Sequence, residues 1–217
     1  MLIDTLLDSF WVLGIWLVTS ITSVIIVARD IQRHNAHLPP LMRLVWLLTV
    51  AYSSLLGLVV YWFTGRGQIS RDSIWRQGFR STAHCYSGCG GGEVLGILLT
   101  VALLGLAQLW VVLTTFSFAY VAGLLLTAGP LIQDGVPAKT AWRDAVVSES
   151  ASIVVMETVA IGVDLYLAGN AQITDTRFWL SLVVSLSLGF LAAYPVNILL
   201  IHFGVKEGMH DPRHGAD

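Results

Sequence analysis

Long apolar segments alternate with short polar ones along the chain. Each apolar segment reaches about 20 residues, the length that a helix needs to cross ~30 Å of hydrocarbon. Helices are expected because lipid cannot satisfy an open backbone, and the segments lack the alternation of a barrel strand. The pattern predicts six spans, near residues 6–28, 41–64, 83–104, 107–129, 146–168 and 178–203. The expected fold class is an all-α integral membrane protein, a bundle of about six transmembrane helices in a single domain over residues 1–217.

The polar segments between the spans predict the orientation of the chain. An even number of spans places both termini on one side, together with the loops at 65–82 and 130–145. That side carries eight of the twelve basic residues: Arg66, Arg71, Arg76, Arg80, Lys139, Arg143, Lys206 and Arg213. The other side carries the remaining four: Arg29, Arg33, Arg43 and Arg177. Because basic loops tend to stay in the cytoplasm, both termini are predicted to be cytoplasmic, in a multi-pass protein of the cell (inner) membrane.

The composition agrees with lipid as the main solvent. Hydrophobic residues make up 55% of the 217 residues and charged residues 12%, about half the ~25% usual in soluble domains. A formal net charge of −2 and a sequence pI near 6.3 give no argument for nucleic acid as a partner. Two cysteines are too few for a disulfide scaffold, so their spacing points instead to metal or redox chemistry.

The start of the third predicted span carries two stripes of candidate functional residues. In a helix, residues four apart fall on one face. The first stripe, a ridge of small residues against which another helix can pack closely, consists of His84, Gly88, Gly92 and Gly96. The second stripe consists of Cys85, Cys89 and Glu93. Two thiols and a carboxylate are therefore expected at a tight seam between helices.

The sulfur-bearing stripe is a candidate site for a soft metal ion. Cysteine thiolates together with the nitrogen of His84 suit Cu(I) and Zn(II), and Glu93 lies one turn deeper, where it could take a proton or the next ion. An acid inside an apolar span costs free energy, and packing alone does not require it. The alternative is structural, because a free cysteine often serves as a small buried hydrophobe, and the glycines would then serve packing alone.

Polar residues of the fifth and sixth predicted spans complete the candidate site. Glu157 lies about ten residues, or ~15 Å, from the cytoplasmic end of its span, which is the depth expected for the acid of the third span. Met156 beside it offers a thioether to Cu(I), with plain packing as the alternative. Asn197 lies close to the same layer. His202 is expected at the depth of the start of the third span, either as a ligand or as an interface residue.

Several separated motifs resemble one protein family. They are His84-Cys85-x-x-Gly88-Cys89-x-x-x-Glu93-x-x-Gly96, Phe118-Ala119-Tyr120, Met156-Glu157, Tyr194-Pro195-Val196-Asn197 and Gly204-Val205-Lys206-Glu207-Gly208-Met209. Over roughly residues 75–209 the chain resembles the bacterial membrane family named domain of unknown function four-three-nine-six. The resemblance implies a polytopic fold and marks the polar residues above, and a loose association of such proteins with heavy-metal-binding domains favours a role with metal ions. It implies no reaction.

The leading functional prediction is a transporter or membrane chaperone for a soft metal ion, with copper preferred and zinc second. The predicted metal ligands are His84, Cys85, Cys89, Glu93, Met156, Glu157, Asn197 and His202. No nucleotide cofactor is expected, because the sequence lacks the G-x-x-x-x-G-K-[ST] motif. The expected partners are the lipid bilayer, the metal ion, and either a metal-delivery protein or a second copy of the chain.

Two other functions fit the same residues. In the first, Cys85 and Cys89 cycle between dithiol and disulfide, although a regular helix keeps sulfurs four residues apart slightly too distant for an unstrained bond. The spacing also lacks the C-x-x-C form of thioredoxin-like sites. In the second, the protein is a noncatalytic assembly subunit whose glycines serve only helix packing.

Overall fold

The computed structural model describes residues 2–209 and 211–213, and within these residues the chain is helical with no strand. Its helices are α1 (Leu2–Leu7), α2 (Phe10–His34), α3 (Pro40–Ser53), α4 (Leu55–Thr64), α5 (Ile74–Ile97), α6 (Gln108–Gln133), α7 (Ala138–Ala168) and α8 (Thr176–His202). A π-helical segment, Leu98–Leu103, extends α5. The chain then turns at Gly105, whose φ of +56° lies in the region that glycine adopts without strain.

Five helices are long and apolar enough to cross a membrane. They are α2, α5 with its π-helical extension, α6, α7 and α8. Large apolar side chains on their outer faces are exposed, such as Trp11, Val18 and Leu109, as expected where the neighbour is lipid rather than water. Length and composition therefore make the chain a multi-pass helical membrane protein.

The second predicted span, at 41–64, is a hairpin of two short helices rather than one crossing. The chain reverses at Ser54, whose φ of +49° is unusual for a residue other than glycine. The rings of Trp46 on α3 and Tyr61 on α4 lie 5.3 Å apart, whereas fifteen residues of straight helix would separate them by ~22 Å. A Cβ built on Gly65 would also fall 2.4 Å from the Trp46 side chain. The apolar run is long enough to span, but the backbone break at Ser54 folds it back.

The tip of the hairpin reaches the middle of the bundle. The Ser54 hydroxyl donates to Thr19 Oγ1 at 3.0 Å, and the Ser20 hydroxyl donates to the carbonyl of Ala51 at 2.8 Å. Thr19 and Ser20 lie near the middle of α2. The broken backbone at Ser54 is 4% exposed, so protein rather than lipid surrounds it, as non-helical backbone at membrane depth requires.

The five long helices place α1 and residues 211–213 at opposite ends of the bundle. Asp8, which follows α1, pairs with Arg177 at the start of α8 at 2.8 Å, and this guanidinium holds the pKa of Asp8 below its usual value. At the other end, the carbonyl of Pro212 lies 2.7 Å from His37 Nε2 in the loop between α2 and α3. The prediction of six spans with both termini on one side is not confirmed, because residues 41–64 form a hairpin and five helices are long and apolar enough to cross a membrane.

We call the end that carries the loops at 35–39, 65–73 and 134–137 the basic end. Of the twelve Lys and Arg residues in the sequence, Arg177 lies at the opposite end and the other eleven lie in or near loops of the basic end. One end thus carries eleven of the twelve basic residues, whereas the six-span prediction placed eight of the twelve on one side. The hairpin causes the difference, since it returns the chain to the basic end before α5 begins.

The predicted ridge of small residues packs α5 against α6. A Cβ built on Gly92 would lie 2.4 Å from the carbonyl oxygen of Phe118, and one on Gly88 would lie 2.9 Å from the Cα of Gly123. Such distances leave room for hydrogen but not for a side chain. The close approach expected from the glycine spacing is therefore confirmed, and the partner helix belongs to the same chain.

Candidate functional site

The two thiols lie in a seam formed by α5, α6 and α7. Cys85 and Cys89 are one helical turn apart, 1% and 0% exposed, with their Sγ atoms 3.9 Å apart. From α7 the Ser152 hydroxyl donates to Cys85 Sγ at 3.8 Å. From α6 the backbone of Gly123 approaches so closely that a Cβ there would lie 3.2 Å from Cys89 Sγ. The glycines of this seam therefore bring three helices together around the sulfur atoms.

The carboxylate of Glu157 faces the thiols from α7. Its side chain is 0% exposed and lies beside Cys85 and Cys89. Although it approaches the Cys89 thiol, neither carboxylate oxygen makes a hydrogen bond of acceptable geometry with any described residue. A charged carboxylate in this setting has lost its water without gaining a partner, which costs several kcal/mol. Such a residue needs a cation or a proton.

A second unpartnered carboxylate lies deeper along α5. Glu93 is 4% exposed, and among the described residues its Oε2 has no hydrogen-bond partner. Its charged neighbours are Glu157 and Asp164, both on α7. Asp164 accepts a hydrogen bond from Ser181 at 2.9 Å. We call this set of neighbouring polar residues the polar column; all but the half-buried Asp164 are buried, and it consists of Glu149, Ser152, Cys85, Cys89, Glu157, Glu93 and Asp164.

The polar column runs between two cavities at opposite ends of the bundle. A cavity of about 910 Å³ at the basic end is lined by His84 and Glu149. A cavity of about 290 Å³ at the opposite end is lined by Glu93 and Asp164. Glu149 and Asp164 are fifteen residues apart on α7, or ~22 Å along the helix. The column therefore covers most of the distance across the hydrocarbon, and each of its ends adjoins a cavity.

A hydrogen-bonded network closes the column at the basic end. The Lys206 ammonium donates to Glu149 Oε2 at 2.6 Å and to Asn197 Oδ1 at 2.9 Å. The hydroxyl of Thr127 donates to the other oxygen of Glu149 at 3.1 Å, and His84 Nε2 lies 3.3 Å from that hydroxyl. In contrast to Glu93 and Glu157, Glu149 is fully paired.

The structure brings together only part of the predicted metal site. Cys85, Cys89 and Glu157 adjoin one another. His84 points toward α6 instead, because consecutive residues of a helix point about 100° apart. Met156 packs against α8 at Gly189. Among residues 2–209 and 211–213, no group of three His, Cys, Asp or Glu side chains is assembled to hold a metal ion.

The two predicted residues of α8 occupy different surroundings. Asn197 is fully buried and donates to Ser152 Oγ at 2.6 Å while accepting from Lys206, so its amide joins the network rather than the layer of Glu157. His202 is exposed and packs edge-on against the ring of Phe203 at 5.2 Å. It lies at the end of α8, where the helix leaves the bundle.

Three residues of the site were not predicted from the sequence. Glu149 and Ser152 precede Glu157 by eight and five residues, and the eight-residue spacing, close to two full turns, would have placed Glu149 on the same face as Glu157. No helical spacing in the sequence places Lys206 near the site. This residue reaches the column only because the chain reverses at Gly204, which has a φ of +69°.

These features define a polytopic helical membrane protein with a buried polar column and a re-entrant hairpin. The family model described as Domain of unknown function (DUF4396) matches residues 74–206, more than half of the chain, and the protein belongs to this family. The matched region begins with α5 and ends at Lys206, so it contains the whole polar column. Neither the curated proteins nor the solved structures contain a significant match to the chain.

Proposed function

We propose that the protein transports a soft metal ion, copper(I) in the first instance, along the polar column. The observation that carries this proposal is the thiol pair beside the unpartnered Glu157, in a column with a cavity at each end. Two thiolates offer soft ligands, which favour Cu(I) and then Zn(II) over hard cations. The two thiols release their protons when they bind the ion, and the adjacent carboxylate of Glu157 is positioned to accept one of them.

The separation of the sulfur atoms is compatible with a shared metal ion. Two metal–sulfur bonds of ~2.3 Å that meet at a tetrahedral angle place the sulfurs about 3.8 Å apart. Cys85 and Cys89 have a separation of 3.9 Å, whereas a disulfide requires ~2.05 Å. Cu(I) is satisfied by few ligands, so the pair with Glu157 can serve as a transient site rather than a closed structural one.

The two deeper carboxylates provide the next positions along the path. A cation that leaves the thiols meets Glu157 and then Glu93, which neighbours Asp164 and the second cavity. The same carboxylates can instead carry protons in the opposite direction. Because the sequence has no P-loop motif, the driving force in this proposal is an ion gradient, with proton exchange at these acids as its coupling.

The proposed orientation places the basic end in the cytoplasm of a cell (inner) membrane. Eleven of the twelve Lys and Arg residues lie at this end. The positive-inside rule assigns the more basic end to the cytoplasmic face. The chain then has five crossings and a hairpin re-entrant from the cytoplasm, with α1 outside and residues 211–213 inside. The larger cavity faces the cytoplasm, where a metal-delivery partner would present the ion.

Uptake into proteoliposomes tests the proposal. Wild-type protein is expected to move Cu(I), kept reduced, into vesicles at a rate at least tenfold above empty vesicles. The double variant C85S/C89S should lose this flux, because hydroxyls bind soft ions poorly. M156L is the matched control, since Met156 packs on α8 and its volume is kept, and its flux should equal that of the wild type. Unchanged flux in C85S/C89S would refute the proposal.

Thiol trapping across a redox titration separates transport from thiol–disulfide exchange. A transporter of this kind keeps both thiols reduced at physiological potentials. Reversible oxidation of Cys85 and Cys89 in that range, combined with absent copper flux, would assign the site to redox chemistry instead.

A further inference from the structure

The segment after α8 folds back into the bundle. Gly204 reverses the chain with a φ of +69°, and the amides of Val205 and Lys206 both donate to the carbonyl of Leu200, at 2.9 and 3.2 Å. The reversal directs Lys206 inward, where it is 4% exposed. Its neighbours in sequence, Val205 and Glu207, are exposed. Lys206 is thus a buried residue between two exposed neighbours.

The inserted ammonium occupies a pocket built for a cation. Glu149 Oε2 and Asn197 Oδ1 accept from Lys206 Nζ at 2.6 and 2.9 Å. The other Glu149 oxygen is held by Thr127 at 3.1 Å. The side chains of Lys206 and Glu149 are 2% and 1% exposed, so each charge depends on the other for compensation.

This pocket stands between the larger cavity and the thiols. Lys206, Glu149 and His84 line that cavity. On the other side, Asn197 donates to Ser152 Oγ at 2.6 Å, and the Ser152 hydroxyl donates to Cys85 Sγ at 3.8 Å. Three hydrogen bonds therefore connect the Lys206 ammonium to the sulfur pair. A cation that enters from the cavity meets the ammonium before it meets the thiols.

We infer that Glu149 and Asn197 form a cation-binding site at this entrance and that Lys206 is its tethered occupant. The ammonium closes the column while no cargo is present. An arriving metal cation competes for Glu149, and the segment 203–209 then swings out about the reversal at Gly204. The displacement by cargo rests on the proposed function, whereas the closure by Lys206 does not.

Thiol labelling tests the closure directly. Cys85 and Cys89 are the two cysteines of the chain, so their rate of reaction with N-ethylmaleimide, followed by mass spectrometry on the full-length protein, measures access to the column. K206Q is expected to react at least tenfold faster than the wild type. E149Q should also react faster, because it releases the ammonium. The charge-swapped variant E149K/K206E should restore slow labelling.

K139Q is the matched control, since Lys139 is exposed at the same end of the bundle. It should label at the wild-type rate. The closure is refuted if folded K206Q, checked by gel filtration and thermal melting, labels like the wild type, or if K139Q accelerates labelling equally.

Hydrogen exchange on the wild type tests the displacement without any variant. Silver(I), a redox-inert soft ion, should increase exchange at the amides of Val205 and Lys206 at least fivefold. Bound silver with unchanged exchange would refute the displacement while leaving the proposed transport intact. Absence of silver binding, with K206Q still labelling faster, would refute the proposed function and keep the closure.

Discussion

Glu157 is the residue whose surroundings most constrain the function. It is buried, lies beside two thiols, and has no hydrogen-bond partner among the described residues. Glu149, eight residues earlier on the same helix, is equally buried but paired with Lys206. Glu149 already has a cation as its partner whereas Glu157 has none, and this difference supports the proposal that Glu157 takes up a cation or a proton.

The substitution E157Q tests whether Glu157 has a functional or a structural role. Without its carboxylate the column loses a cation position, so copper flux in proteoliposomes should fall at least tenfold. The melting temperature should stay the same or rise, because an uncompensated buried charge is removed. E207Q, at an exposed position, is the control and should leave both quantities unchanged. A fall in melting temperature with normal flux would show that Glu157 is structural.

The sequence predicted the center of the site better than its entrance. Thiols and acids four residues apart on one helix must share a face, so the grouping of Cys85 and Cys89 followed from spacing alone. His84 was a different case, since its neighbours across the seam decide what it touches, and α6 offers it Thr127. The contribution of Lys206 depends on one backbone reversal beyond the helix, which no periodicity encodes.

At the level of the helices, the α5–α6 contact is the packing that positions the thiols. Glycines at every fourth residue of α5 meet α6 backbone atoms, so the sequence signal for close approach and the structure agree. For the hairpin of α3 and α4 the sequence pattern and the structure disagree. Its two helices join at Ser54 without a glycine or proline, and the apolar run of 41–64 therefore had every property of a single crossing.

G92L tests the helix contact. A leucine side chain would begin 2.4 Å from the Phe118 carbonyl, so α5 and α6 must separate, with an expected loss of about 1–3 kcal/mol or more of stability. Gly162 on α7 has open space around its Cβ position. G162L is thus the control and should be neutral or stabilising by up to ~1 kcal/mol. Thermal melting in detergent measures both, and equal melting temperatures would contradict the packing.

At the level of the whole molecule, the hairpin decides the topology. A crossing at 41–64 would leave α1 and residues 211–213 at the same end, whereas the re-entrant hairpin leaves them at opposite ends. The hairpin also places eleven of the twelve Lys and Arg residues at one end of the bundle. The apolar pattern predicted a helical membrane protein and its apolar segments. The side on which α1 and α2 begin depends on the hairpin at 41–64, which the pattern did not predict.

Single cysteines in a C85S/C89S background test this topology. Ala36 and Ser70 are exposed at the basic end, and Thr174 is exposed at the opposite end. In intact cells an impermeant maleimide should label T174C, while A36C and S70C should label only after permeabilisation. Labelling of A36C and S70C from opposite sides would show that 41–64 crosses the membrane.

In the proposed mechanism Cys85 and Cys89 together hold the transported ion. X-ray absorption on purified wild-type protein loaded with Cu(I) measures this most directly, because it counts the sulfur atoms bound to copper. Two sulfur neighbours are expected at about 2.3 Å, a length typical of metal–thiolate bonds, and none in C85S/C89S. Copper bound only by nitrogen and oxygen, or by the same number of sulfurs in both proteins, would contradict it.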